Sequence, residues 1–180
     1  MGRGYPESVP VDIRPYAPAD LAALVAINDG AHPAVPITPA EELAELIAVS
    51  RMTLVVDDGE PAGFLVALGT GAAYASENYA WFSARSSDFL YVDRIVLAPR
   101  LQGQRIGQRL YAAVEDAARA DGATEITCEV NVRPANPGSL RFHARLGFVE
   151  VGRQETKGGT TEVALLARPV AEIGGAASAG

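Results

Sequence analysis

With 180 residues, 48% of them hydrophobic and 21% charged, the chain has the length and apolar content of one packed domain rather than of a disordered or fibrous protein. Its net charge of −7 excludes a sequence-independent grip on nucleic acid, whose phosphates would repel it, and no apolar run reaches the roughly 18 residues of a membrane span. Cys128 is the only cysteine and the first residues hold no apolar core for a signal peptide, which together point to a disulfide-free protein of the cytoplasm.

Residues 1–10 carry glycine and proline with little apolar content and read as a flexible arm. Residues 11–14 form a short strand, and Pro18 opens a helix with Leu21, Leu24, Val25 and Asn28 on one stripe. After a loop at 29–37 that contains His32, Thr38-Pro39-Ala40-Glu41 reads as a capping box for a second helix whose Leu43, Leu46 and Ile47 face the core. Residues 52–56 and 62–68 make a hairpin around Asp57-Asp58-Gly59-Glu60. The following stretch, 69–88, shows no period and reads as a long irregular connection with Tyr74, Tyr79, Trp81 and Phe82 in it.

Residues 89–97, rich in β-branched and aromatic side chains, form the central strand. A helix follows, starting near Arg105, with Ile106, Leu110, Ala113, Val114 and Ala117 on one face and Asp121-Gly122 at its end. Another strand spans 124–132; Asn136 caps a helix with Pro137 in its first turn, and Gly147 stops it. Strands at 148–152 and 160–167 flank Gly158-Gly159, and residues 170–180 are small and read as a disordered tail. Strands mixed with four helices fit a mixed α/β sheet with helices on both faces.

A strand, a glycine-containing turn and a helix, in that order across 89–122, leave free backbone N–H groups at a helix N-terminus, which suits a pyrophosphate. Gly103 and Gly107 let a ligand approach there without a Cβ in the way. Two motifs then coincide. Gln102-Gly103-Gln104-Arg105-Ile106-Gly107 resembles the phosphate loop of the GNAT superfamily of acyl-CoA-dependent N-acyltransferases, Gln/Arg-x-x-Gly-x-Gly/Ala, with Arg105 at the middle glycine. Asn136-Pro137-Gly138-Ser139, Phe142-His143 and Leu146-Gly147-Phe148 resemble that family's later motif, with His143 where a tyrosine is most frequent. The resemblance covers residues 11–169 and implies one N-acetyltransferase domain over that range. It also implies an α/β fold built on a single mixed, mostly antiparallel six- to seven-stranded sheet with about four helices on both faces.

On the same resemblance, Ile95, Val96 and Leu97 offer backbone groups to the pantetheine arm of acetyl-CoA, a form of strand addition. Gln102 to Gly107 hold the pyrophosphate, with Arg105 available as a guanidinium partner, and Asn136, Ser139 and Phe142 lie along the cofactor. His143 takes the position of the family's proton donor to the departing thiolate. Transfer from an imidazolium of pKa about 6.5 to a thiol of pKa about 8.5 is downhill.

Asp93 and Arg94 interrupt an apolar strand. Strict alternation puts them on opposite faces, with Tyr91, Ile95 and Leu97 on one and Val92 and Val96 on the other. A charge in such a strand is either paired or faces a wet cleft, so Asp93, and Glu129 in its own strand, read either as structural ion-pair members or as the base that deprotonates an ammonium. Cys128, between apolar neighbours, reads as a small buried residue.

The acceptor wall is assigned to residues 69–88, with Tyr79, Trp81 and Phe82 as aromatic surfaces for a cationic amine and His32 nearby. Two histidines and one cysteine give no metal-ligand spacing. The sequence therefore points to an N-acetyltransferase that moves an acetyl group from acetyl-CoA directly to a small-molecule or peptide amine. It would need no metal, bind neither nucleic acid nor membrane, and act as a monomer or homodimer. The alternative is a non-catalytic acyl-CoA-binding regulatory module.

Overall fold

The computed structural model describes residues 10–171, so most of the expected arm (1–10) and tail (170–180) lies outside the described residues. The first two residues of that tail are tied down: the Val170 amide donates to Thr124 O at 2.9 Å and the Ala171 amide to Glu115 Oε1 at 2.6 Å.

The strands are β1 (Asp12–Pro15), β2 (Met52–Asp57), β3 (Pro61–Leu68), β4 (Phe89–Leu97), β5 (Glu125–Arg133), β6 (Val149–Thr156) and β7 (Thr161–Pro169). They form one sheet in the order β1-β2-β3-β4-β5-β7-β6, in which only β4 and β5 run parallel. The helices are α1 (Leu21–Gly30), α2 (Ala40–Val49), α3 (Glu77–Arg85), α4 (Ile106–Ala120) and α5 (Pro137–Arg145). On one face of the sheet, Ile106, Leu110 and Val114 of α4 pack with Val92, Ile126 and Val130, and Leu140 and Phe142 of α5 join them. On the other, Leu24 of α1, Leu43 and Leu46 of α2, and Tyr79 and Phe82 of α3 pack with Phe64, Val66 and Tyr91. Because both faces are covered, β3 reads as a continuous apolar run rather than an alternating one. No helix among the described residues is long and apolar enough to cross a membrane.

The structure corrects three local expectations. First, the supposed irregular stretch at 69–88 contains α3. Ser76 caps it by accepting from the Tyr79 amide, and Tyr79 and Phe82, one turn apart, form its buried stripe. Second, Thr38 does not cap α2. Its hydroxyl donates to Pro36 O at 2.9 Å and accepts from Arg94 Nη1 at 2.8 Å, because a buried guanidinium must find acceptors. Third, Asp93 and Arg94 do not lie on opposite faces. In the β3–β4 ladder Val66 opposes Arg94 and Ala67 opposes Val92, so Asp93 is an extra, bulged residue. The bulge inverts the side-chain phase of everything after it. Tyr91 and Val96 pack on the α1–α3 side, whereas Val92, Ile95 and Leu97 pack with α4. Asp93 and Arg94 can therefore touch, Nε to Oδ2 at 3.0 Å.

The β3–β4 ladder also depends on a glycine that the sequence does not flag. A Cβ on Gly63 would sit 2.7 Å from Val96 O and 2.7 Å from Leu97 Cδ2, and backbone cannot yield as a side-chain tip can. Gly63→Ala is expected to destabilise the fold by about 1–3 kcal/mol, the usual cost of overpacking. Urea denaturation checks this; an unchanged midpoint would show that the strands separate freely.

Candidate active site

The parallel β4–β5 pairing runs only from Phe89–Val92 against Glu125–Cys128. Beyond it β4 stays with β3 and β5 stays with β7, so the two strands diverge from the bulge onward. Two cavities open along this divergence. One, of about 890 Å³, runs from Ile95–Ala98 to the turn at α4; the other, of about 320 Å³, lies beside Asp93, Arg94 and Glu129. They share Ala34, Val35, Ile95, Asn136, Ser139 and His143 as a common wall.

The larger cavity is built for an anion at one end. The first α4 amide with a backbone partner is that of Arg109, to Arg105 O at 3.2 Å; those of Ile106, Gly107 and Gln108 find no backbone acceptor among the described residues. Arg105 holds φ 60°, ψ 17°, the left-handed conformation a glycine adopts freely. The loop thus keeps the shape of a glycine turn and presents an exposed guanidinium besides. Ile95, Val96, Leu97, Gln102, Gly103, Arg105, Ile106, Gly107, Asn136, Ser139 and Phe142 all border this cavity. Gln104 does not: its amide turns back to Arg100 O at 2.9 Å. Gly107 has a packing role that the sequence reading missed, since a Cβ there would come within 2.7 Å of Phe142 Cζ. The Asn136 cap is present, its Oδ1 accepting from the Ser139 amide at 3.2 Å.

The smaller cavity carries the titratable groups. Asp93 Oδ1 accepts from the Tyr74 hydroxyl at 2.7 Å, and Glu129 Oε2 accepts from the Tyr91 hydroxyl at 2.7 Å. Burial, and then the Asp93 carboxylate nearby, push the Glu129 carboxyl up to about 8, against the pull of the Tyr91 hydroxyl and the Asn78 amide. Burial and the facing carboxylates raise both tyrosines in turn, so each remains a neutral phenol that donates. Among the described residues, no cluster of three or more histidine, cysteine or acidic side chains could hold a metal ion.

His143 lies at the junction of the cavities, 2% exposed. Its Nδ1 is 2.8 Å from Ser139 O, a pure acceptor, so Nδ1 carries a proton. Nε2 is 2.8 Å from the Tyr111 hydroxyl and accepts from it when the ring is neutral. Burial lowers its pKa below the ordinary imidazole value. The expected imidazolium donor is therefore a minor form at neutral pH, while burial raises the Tyr111 phenol well above its ordinary value, so that it stays a neutral donor to the imidazole. Cys128 is buried and its thiol is pushed up by that burial, which makes it inert as a nucleophile.

The stretch 69–88 reaches the smaller cavity through Tyr74 to Asn78, but Tyr79, Trp81 and Phe82, the aromatics singled out in it, line neither cavity. Tyr79 is core: its hydroxyl donates to Gly69 O at 2.6 Å and accepts from the Ala72 amide at 2.9 Å. Phe82 is fully buried, and Trp81 covers Gly152. His32 is exposed and lines neither cavity, although its neighbours Pro33 to Pro36 line the smaller one. Helix formation explains the difference, because α3 turns its aromatic stripe to the sheet and leaves Tyr74, Ser76, Glu77 and Asn78 at the cavity. Tyr111 went unseen because it sits in the apolar stripe of α4, where an aromatic normally means core.

The family model described as "Acetyltransferase (GNAT) family" matches residues 22–148. The aminoglycoside N(6′)-acetyltransferase type 1 of Serratia marcescens is 29% identical over 112 residues, 62% of this chain and 73% of that one. Among solved structures, Ard1 from Thermoplasma volcanium superposes with a TM-score of 0.73 at 18% identity, covering 90% of this chain and 99% of that one. The protein yncA of Salmonella typhimurium, solved with its cofactor acetyl-CoA, gives 0.66 at 18% identity, covering 94% and 99%. At these identities the two structures speak for the fold.

The raised Glu129 pKa has a consequence for stability whose sign is unusual for a carboxylate. Between an unfolded value of about 4.3 and the folded value of about 8, the folded state keeps a proton that the unfolded state has lost. Stability therefore falls as pH rises through that window. Glu129→Gln, which still accepts from Tyr91, should melt higher than the parent above pH 8, with the advantage shrinking toward pH 5. Thermal melts at several pH values check this; a pH-independent difference would place Glu129 outside the titration.

Proposed function

The chain belongs to the GNAT acetyltransferase family and is an acyltransferase, and we propose that it transfers an acetyl group from acetyl-CoA to a primary amine of a small molecule in a ternary complex. One observation carries this reading: two cavities of different character meet at Ile95, Ser139 and His143, where β4 and β5 part. The larger has free helix N-terminal amides for the pyrophosphate and an unpaired strand edge for the pantetheine amides. The smaller has carboxylates for an ammonium group. The Serratia marcescens relative supports a small-molecule amine as acceptor.

In this reading Glu129, with Asp93 beside it, removes a proton from the ammonium group, and the freed lone pair attacks the thioester carbonyl carbon. The carbon–sulfur bond breaks, and the sulfur takes a proton from the Tyr111 hydroxyl, which His143 orients. The second proton lost by nitrogen as the amide forms restores Tyr111 through solvent, and Glu129 releases its own proton to solvent. The sum is one amide, one CoA thiol and one proton. No covalent intermediate on the enzyme is needed, in keeping with an inert Cys128.

The test is thiol release from acetyl-CoA with a panel of aminoglycosides, amino acids, polyamines and simple amines. Release dependent on at least one acceptor is expected; none from any acceptor would sink the reading. With that acceptor, kcat/KM should rise with pH through about 8 as the Glu129 carboxylate forms. Glu129→Gln should remove that limb, and Tyr111→Phe should lower kcat by about 10²–10⁴, the ordinary value of a general acid or base. Acetyl-CoA affinity should stay within a few-fold in both.

A further inference from the structure

We infer that the acceptor is a zwitterion of amino-acid size, whose carboxylate binds Arg94 while its amine faces the Asp93–Glu129 side; this rests on the amine-acetylation reading above and narrows it. Arg94 is 8% exposed and lines the smaller cavity. Its five N–H donors are unevenly used. Nε donates to Asp93 Oδ2 at 3.0 Å, and Nη1 donates to Asn28 Oδ1 at 2.7 Å and to Thr38 Oγ1 at 2.8 Å. Nη2 has no partner among the described residues. It is not sealed off either, for the buried side-chain polar atoms left without a partner are Thr127 Oγ1 and Arg168 Nε. Nη2 therefore keeps some accessibility, and Arg94 walls the cavity, so a group bound there can meet its two unused donors. A guanidinium edge in a part-desolvated wall is a strong, geometrically selective partner for an oxyanion.

The structural role of Arg94 accounts for the other three donors and not for this pair. Asn28 Nδ2 and the Thr38 hydroxyl both donate to Pro36 O, each at 2.9 Å, so Arg94 Nη1 ties the loop between α1 and α2 to the β4 bulge. That work is complete without Nη2. The bulge meanwhile sets Asp93 and Arg94 side by side, a negative and a positive group in contact on one wall. An α-amino acid carries the same two charges, reversed, on neighbouring atoms. Ile95, Val130, Val163 and the Tyr74 ring supply apolar surface for a side chain. A cavity of about 320 Å³ encloses a molecule of that size, whereas a three-ring aminoglycoside would lie largely outside it.

The test compares acceptors that differ only in the carboxylate. L-Leucine, L-methionine and L-phenylalanine are each assayed against the amine left after decarboxylation, with kcat/KM referred to the free-amine fraction at pH 8. The carboxylated member of at least one pair is expected to be favoured by roughly 10- to 100-fold, the value of a charge-assisted hydrogen-bonded pair. In Arg94→Lys that preference should collapse toward unity while the acetyl-CoA KM holds within about threefold, a selective change that a merely structural arginine would not give. Should this variant fail to fold, inhibition of the parent enzyme decides. 4-Methylpentanoate, the leucine skeleton without its amine, should compete with the acceptor, and the corresponding alcohol should not. Equal or better use of the decarboxylated amines in all pairs, or a preference that survives in folded Arg94→Lys, or no competition by the carboxylate, overturns the inference. Absence of thiol release from every amine would instead overturn the activity on which it rests.

Discussion

The parallel pairing of β4 with β5 stops after four residues, and the site depends on where it stops. A bulged residue in an antiparallel ladder leaves one side chain without an opposite number and bends its strand. Here the bulge lies between β3 and β4 at Asp93, one residue after the last β4–β5 partner. The bend therefore releases β4 from β5 while leaving it paired to β3. What would be a buried ladder becomes two facing strand edges with a cleft between them. The same bulge swaps the faces of Ile95, Val96 and Leu97, and it brings an aspartate and an arginine into contact on the wall of that cleft.

The charges around the cleft are arranged by burial rather than by number. Two carboxylates face one cavity, each held by a tyrosine hydroxyl whose own ionisation is suppressed by the same burial. Like charges in a desolvated wall cannot both be ionised cheaply, and the structure places the penalty on Glu129. Asp93 has Arg94 against it, whereas Glu129 has no cation in contact among the described residues, so the pair is asymmetric. That asymmetry leaves Glu129 as a carboxyl able to exchange a proton near neutrality.

How far the sequence could be read follows from how local each feature is. The β2–β3 hairpin, the β4–α4 turn and the Asn136 cap were legible because a few neighbouring residues determine them. The bulge was not, because alternation assumes an unbroken ladder and the break is a property of β4 against β3. Helix α3 escaped because its stripe is only Tyr79 and Phe82 in nine residues, too short to show a period. Its aromatics then looked like a pocket when they were core. The expected cofactor loop borders the larger cavity except for Gln104, which folds back on its own turn. Of the residues that line the smaller cavity, Asp93, Arg94 and Glu129 stood out in the sequence as charges in apolar strands; Tyr74 and Asn78 reach it because of where α3 lies, and Tyr111 because of the cleft. Asp93 and Arg94 were singled out for the right reason, charge in an apolar strand, and given the wrong geometry.

Gly107 and Phe142 carry a mechanical implication. With no Cβ between them, the start of α4 rests directly on the α5 phenyl ring, and one turn further along Tyr111 is bonded to His143. Two bolts of different kinds, one steric and one a hydrogen bond, fasten the helix whose start borders the larger cavity to the helix that borders both cavities. Displacement at the first cannot be absorbed by slack before it reaches the second. The start of α4 at the larger cavity and the Tyr111 hydroxyl at the smaller one are therefore held in fixed register, with no hinge between them.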